Sequence, residues 1–188
     1  MILLHFSVYF EENGVTHSFM TTQVGRQFAM EMSCESLQYL SIGGEKLVPM
    51  EPPKDYKFFN AYGPTECTIF TTVFEVDKYY SNIPIGKALD NFKLYIADKF
   101  GHLLPYGACG ELMISGWQVS RGYLNNRRKL RKIYTKNIYD DAEGYEVLYH
   151  SGDVARYLRM ETSRSLEEKT PRLRSEAFEL SFPRLRRS

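Results

Sequence analysis

The chain has 188 residues, with 24 Lys plus Arg against 23 Asp plus Glu, so no overall electrostatic field draws it toward nucleic acid or an anionic membrane. With 43% hydrophobic and 14% aromatic residues it reads as a globular chain without low-complexity linkers, long enough for one core or for part of a larger domain. Cys34, Cys67 and Cys109 are isolated and odd in number, which fits reduced thiols better than a disulfide framework, and the four histidines form no metal-ligand spacing.

The opening MILLHFSVYF is apolar but lacks a basic leader, a small-residue cleavage site and the roughly 18 apolar residues of a membrane span, so it is read as a core segment. Residues 15–22 and 37–42 carry the β-branched and aromatic content of strands, and residues 23–32 between them have apolar side chains at helical spacing. The second strand ends in Gly43-Gly44-Glu45, and a further apolar run, YKFFNAY, stops at Gly63-Pro64. Strands and helices in alternation predict an α/β fold with a mostly parallel sheet over residues 1–82, whose carboxyl-end loops are the expected ligand sites. From residue 83 to 158 short alternating strands (KLYIAD, GELMIS, EVLYH) punctuated by DKFG, PYGACG and DDAEG predict a β-rich subdomain, barrel or sandwich. Residues 159–188 show no strand alternation and read as a disordered tail.

Tyr62-Gly63-Pro64-Thr65-Glu66, taken alone, is a turn after a buried strand, with Thr65 able to cap a following helix. The longer string NAYGPTE stands in order with SIGGEKL (41–47), IPIGKALDNFKLYIAD (83–98), GELMISGWQVSRGYLN (110–125) and YHSGDVARYL (149–158). Together these resemble the amino-acid adenylation domains of nonribosomal peptide synthetases, a branch of the adenylate-forming enzymes. The resemblance implies ATP and Mg²⁺ as cofactors and a reaction joining an amino-acid carboxylate to the α-phosphate of ATP, so that two anions must be held in line while charge builds on phosphate oxygens.

By the same resemblance Tyr62 lies along the adenine, Thr65 donates its hydroxyl to the α-phosphate, and Glu66 helps to hold Mg²⁺, a hard cation suited to carboxylate and phosphate oxygens. Gly63 and Pro64 set the bend, and Asn60 and Ala61 line the floor beneath the substrate. Gly43, Gly44 and Glu45 bring backbone against the flat base, and Asp153 accepts the ribose hydroxyls, although His150 and Ser151 stand where the family has Lys or Arg and Thr. Gly116 and Gly122 are read as turn residues and Arg121 as an ion-pair partner rather than a catalyst. Carried over by position, Phe19, Leu40, Ile42, Ala61, Ile69 and Phe70 would wall a pocket for an apolar amino acid; the competing reading of that stripe is plain core packing.

The implied setting is cytoplasmic, with partners in the peptidyl carrier domain, which bears the phosphopantetheine thiol, and the condensation domain, and with no membrane or nucleic acid. The family's Ser/Thr/Gly-rich phosphate loop, the aspartate that grips the substrate amine and the lid lysine have no counterpart in these residues, which predicts that the chain by itself is inactive. The rival readings are a fragment of an acyl-CoA or aryl acid ligase of the same superfamily, and a non-enzymatic remnant of a broken reading frame.

The tail favours a broken frame. A one-base slip makes Glu167-Glu168-Lys169-Thr170 compatible with Gly-Arg-Lys-Asp, and residues 172–181 with Gln-Val-Lys-Ile-Arg-Gly-Phe-Arg-Ile-Glu, the family's hinge signature. Its arginines are interrupted by acids and have no aromatic platform beside them, which argues against RNA binding. The expectation is that the coding DNA, shifted by one base after codon 158, reads through into that hinge sequence; a shifted frame lacking it overturns the slip.

Overall fold

The computed structural model describes residues 2–126, 131–158 and, for the backbone, 159 and 176–181. The predicted strand–helix–strand run is present as β1 (His17–Thr21), α2 (Thr22–Glu31) and β2 (Tyr39–Gly43), preceded by α1 (Ile2–Glu12) and followed by β3 (Lys57–Tyr62). Strands β1, β2 and β3 pair in parallel, with Met20, Ile42 and Asn60 side by side. After Tyr62 the direction reverses, and β4 (Thr72–Glu75) and β5 (Lys87–Ala88) complete the sheet antiparallel in the order β1-β2-β3-β4-β5. The parallel part therefore ends at the turn that carries Gly63 to Glu66.

Side chains alternate between the faces of this sheet. Met20, Leu40, Ile42 and Phe58 point to the side of the helices and form a core with Phe10, Phe28 and Leu37. Leu40 and Ile42 have no exposed surface, and burial of such a side chain stabilises by roughly 1.5–3 kcal/mol. His17, Phe19, Tyr39 and Phe59 stand on the opposite face, where His17 stacks on Tyr39 at 4.5 Å between ring centroids. The opening segment is only partly the core element its composition suggests. As a helix it turns Ser7 and Phe10 inward, and Ile2, Leu4, Val8 and Tyr9 remain exposed.

The β-rich region is an open antiparallel sheet rather than a closed barrel: β6 (Phe92–Ala97), β7 (Gly110–Gly116) and β9 (Val147–Arg159) lie in sequence, with β8 (Tyr134–Lys136) also on β9. Within the tail, residues 176–181 form β10 on the free side of β9, where no strand was expected; 160–175 and 182–188, and with them most of the tail reading, lie outside the described residues. Phe92, Leu94, Ile96, Leu112, Ile114 and Tyr149 build a second core, into which Cys67 from the Thr65–Cys67 one-turn 3₁₀ helix is fully inserted. That insertion binds the turn to both sheets. Cys34, Cys67 and Cys109 form no disulfide, and among the described residues no helix is long and apolar enough to cross a membrane.

Helix α2 approaches the sheet through a glycine. A Cβ on Gly25 would lie 2.2 Å from Ile42 Cγ2 and 3.1 Å from Met20 Cβ, both held in the core. An Ala in an exposed helix position would gain about 1 kcal/mol over Gly. Here the clash outweighs it, and Gly25→Ala is expected to lower stability by about 1–3 kcal/mol in urea unfolding; a rise in the midpoint refutes the close packing.

Candidate functional site

A cavity of about 440 Å³ opens where the carboxyl ends of β2 and β3 meet β9. Its walls come from four separated stretches: Gly44 to Leu47; Asn60 to Pro64; Ile83 and Ile85; and Asp153 with Val154. Eight residues singled out from the sequence, Gly44, Glu45, Asn60, Ala61, Tyr62, Gly63, Pro64 and Asp153, thus share one space. Across it the Tyr62 hydroxyl donates to Asp153 Oδ2 at 2.6 Å, joining positions 91 residues apart.

Each wall is held locally. The Glu45 backbone exchanges hydrogen bonds with the Thr22 hydroxyl at 3.0 and 3.2 Å, and its carboxylate accepts from Gln23 Nε2 at 3.0 Å, which ties the glycine loop to the start of α2. Gly44 has φ +103°, and no protein atom lies within 4 Å of where its Cβ would be, so backbone is exposed to the cavity there. Gly43 serves another purpose: its Cβ would meet the Ala61 carbonyl oxygen at 2.8 Å, so it permits close strand pairing and does not line the cavity. Asn60 is buried and donates Nδ2 to the Pro84 carbonyl at 2.8 Å. Gly63 is required for space, since a Cβ would lie 2.4 Å from the Ile69 carbonyl oxygen and 2.8 Å from Phe70 Cα where the chain crosses back.

Asp153 sits on an irregularity. β7 and β9 pair at Glu111 with Val154 and again at Met113 with His150, so residues 151–153 face Leu112 alone. Such a bulge re-aims side chains, and here Asp153 turns toward Tyr62.

Thr65 and Glu66 do not line the cavity. Thr65 is exposed at the start of the 3₁₀ turn, and Glu66 faces the second sheet, where Tyr123 donates its hydroxyl to Oε1 and Ser120 donates its N–H to the Glu66 carbonyl at 2.7 Å. Thr68 closes the turn with φ 74°, rare for a β-branched residue, and its hydroxyl donates to the Gln118 carbonyl at 3.1 Å. Burial first, and the Glu66 carboxylate second, push the Tyr149 hydroxyl upward, and burial takes the Cys67 thiol to about 12, so both stay protonated around the turn.

The proposed substrate pocket does not assemble. Phe19 and the Leu40/Ile42 pair belong to opposite faces of the sheet, because adjacent β1 and β2 residues of different parity point apart. Leu40 and Ile42 are core, the competing reading of the stripe; Phe19 packs edge-on to Phe70 at 5.0 Å, Ile69 is 55% exposed, and only Ala61 of the six reaches the cavity. Arg121 is exposed and makes no ion pair among the described residues.

With this geometry in hand, the comparisons are specific. A family profile described as AMP-binding enzyme matches residues 4–124. The chain belongs to the AMP-binding enzyme family. Over 150 residues it is 41% identical to bacitracin synthase 1 of Bacillus licheniformis, and over 150 residues 36% identical to surfactin synthase subunit 2 of Bacillus subtilis (strain 168), in each case over 80% of this chain. It spans only 3% and 4% of the length of those relatives. In fold it is similar to the Klebsiella oxytoca NpsA N-terminal subdomain in complex with 3-hydroxybenzoyl-AMSN, with a TM-score of 0.70 and 21% identity over 82% of this chain and 40% of that one. A second solved structure, an NRPS protein containing adenylation and PCP domains, gives a TM-score of 0.68 and 23% identity over 79% of this chain and 32% of the other. The matched AMP-binding segment contains three of the four cavity walls; the fourth, with Asp153, lies beyond its end.

Sequence reasoning passed over Lys46, Glu111 and Tyr123. Lys46 stood inside the quoted SIGGEKL, and Glu111 and Tyr123 inside GELMISGWQVSRGYLN, but the Gly152 and Glu66 partners of the latter two are brought to them only by the fold.

Burial first, then Asp153, holds the Tyr62 hydroxyl well above its ordinary 10.0, so it stays a donor. The folded chain keeps a proton that the unfolded chain loses above pH 10.0, so this stabilisation is complete below that value and declines as pH climbs past it. Tyr62→Phe is expected to cost about 1–2 kcal/mol near neutrality in urea unfolding, with the gap to the parent closing above pH 10; a gap unchanged by pH contradicts the assignment.

Proposed function

We propose that the cavity binds the AMP portion of an aminoacyl-adenylate, and that the chain is part of an ATP-dependent amino-acid-activating unit of nonribosomal peptide synthesis. The observation that carries this reading is the convergence of the glycine loop, the Tyr62 turn and Asp153 on one space, with Tyr62 and Asp153 in direct hydrogen bond. A cavity of about 440 Å³ lies in the range of small-molecule sites, roughly 300–1,000 Å³. Gly44 leaves backbone open to a flat base, the Tyr62 ring supplies an apolar wall, and the Asp153 carboxylate, an acceptor only, suits a ribose diol.

The Thr65 hydroxyl, exposed beside Pro64 at the cavity edge, is available to an α-phosphate. For Mg²⁺ the donor set fits a cation held mostly by its ligand: no cluster of three or more metal-binding side chains occurs among the described residues, and Mg²⁺ commonly takes one or two carboxylates plus phosphate oxygens. Glu66 would be that carboxylate, and the ion would neutralise charge building on the phosphate.

Amino acids are favoured over fatty or aryl acids because GGEKL, NAYGPTE and IPIGKALDNFKLYI resemble the peptide-synthetase branch, and the relatives at 41% and 36% identity are a bacitracin synthase and a surfactin synthase subunit. The fold neighbour with adenylation and PCP domains supports a carrier domain as partner, whose phosphopantetheine thiol would accept the acyl group, with a condensation domain next in the assembly. Residues 1–82 and 83–158 then contribute together to one nucleotide site.

Calorimetric titration of the whole chain with AMP tests this. The expected outcome is one-to-one binding, weakened at least about tenfold in Asp153→Asn, the scale of a lost hydrogen bond to a charged group. A folded chain that gives no AMP binding overturns the proposal.

A further inference from the structure

The bulge that presents Asp153 cannot satisfy its own backbone through the strand ladder. Residues 151–153 are opposite the single residue Leu112, so their N–H groups have no regular partner strand to donate to. Gly152 takes φ +75°, a conformation that leaves its N–H pointing back across β7. Two side chains fill the deficit. Glu111 Oε1 accepts the Gly152 N–H at 3.1 Å, and the Ser151 hydroxyl accepts the Asp153 N–H at 3.0 Å while donating to the Leu112 carbonyl at 2.6 Å. Glu111 is itself steadied through Oε2, which faces His150 Nδ1 at 3.4 Å, and the other His150 nitrogen meets the Thr135 hydroxyl at 3.0 Å. The clamp thus runs from β8 through β9 to β7; neither Glu111 nor Ser151 lines the cavity, although the Ser151 side chain also comes within hydrogen-bonding reach of Tyr62.

We propose that Glu111 and Ser151 are positioning residues that lock the β9 bulge and so hold the Asp153 carboxylate in the orientation that receives the ribose hydroxyls. This rests on the reading of Asp153 as the ribose-binding group. Neither residue reaches the ligand space; each acts by removing freedom from the backbone on which Asp153 is mounted. A carboxylate acceptor serves a backbone N–H better than a neutral one, which is why an acid suits position 111 on a sheet residue whose neighbours Leu112 and Ile114 are core.

The test compares AMP with 2′,3′-dideoxy-AMP by calorimetry on the whole chain, alongside amide hydrogen exchange. Glu111→Leu, which keeps bulk and removes both acceptors, is expected to weaken AMP about fivefold to twentyfold and to leave the dideoxy analogue within about twofold, the loss of one hydrogen-bonded positioning contact. Glu111→Gln, which retains an acceptor for Gly152, restores most of the AMP affinity. Exchange at Gly152 and Asp153 accelerates in Glu111→Leu while the β6 amides do not change. Should Glu111→Leu fail to fold, Ser151→Ala carries the same comparison. Equal losses for the two ligands, or unaltered exchange at the bulge, overturn the proposal. A parent chain that binds both ligands equally instead refutes the ribose role of Asp153, while the exchange data still decide whether Glu111 holds the bulge.

Discussion

The hydrogen bond from Tyr62 to Asp153 is the constraint on which the arrangement turns. It joins the end of the parallel sheet to the longest strand of the antiparallel one, 91 residues later, and it does so at the edge of the shared cavity. Its donor is kept protonated by burial and by the acceptor itself, so Tyr62 remains the donor of the link. Each sheet has its own core, and this contact, with Cys67 inserted into the second core, aligns them. A ligand entering here would meet groups whose relative placement is already set.

The two sheets contribute in different ways. The parallel strands end together, and their carboxyl-end loops supply backbone: Gly44 open to the cavity, Glu45 tied to α2, and Gly63 spared a Cβ so that the chain can cross at Ile69. The antiparallel sheet supplies a single carboxylate, and does so by breaking its own ladder. The bulge opposite Leu112 costs regular hydrogen bonds, which Glu111 and Ser151 replace. The AMP-binding enzyme family match covers the cavity's segments up to Ile85, while Asp153 lies outside it, on a bulge whose backbone Glu111 and Ser151 satisfy.

Glu66 illustrates a different balance. The sequence placed it with Thr65 at the reacting end of a nucleotide, yet its carboxylate is bonded to Tyr123 and lies beside Tyr149. The turn that carries it is anchored three times, through Cys67 in the core, Ser120 on the Glu66 carbonyl and Thr68 on Gln118. The backbone of the turn is therefore fixed, and the Tyr123 hydroxyl holds the Glu66 carboxylate against the second sheet.

The sequence by itself determined the order of elements and the family. Period-two alternation marked the strands, and the ordered glycine, tyrosine and acidic motifs announced three of the cavity's walls, because turn chemistry and side-chain type are local properties. It did not determine which apolar positions faced a ligand. Leu40 and Ile42 were grouped with Phe19, and the register of β1 against β2 puts them on opposite faces, a distinction invisible until the pairing is known. Nor could it show that the β-rich region stays open, that residues 176–181 pair with β9, or that Glu111 stands behind Asp153. Those facts depend on strand partners far apart in the chain, and only tertiary structure decides which distant backbone group each side chain must satisfy.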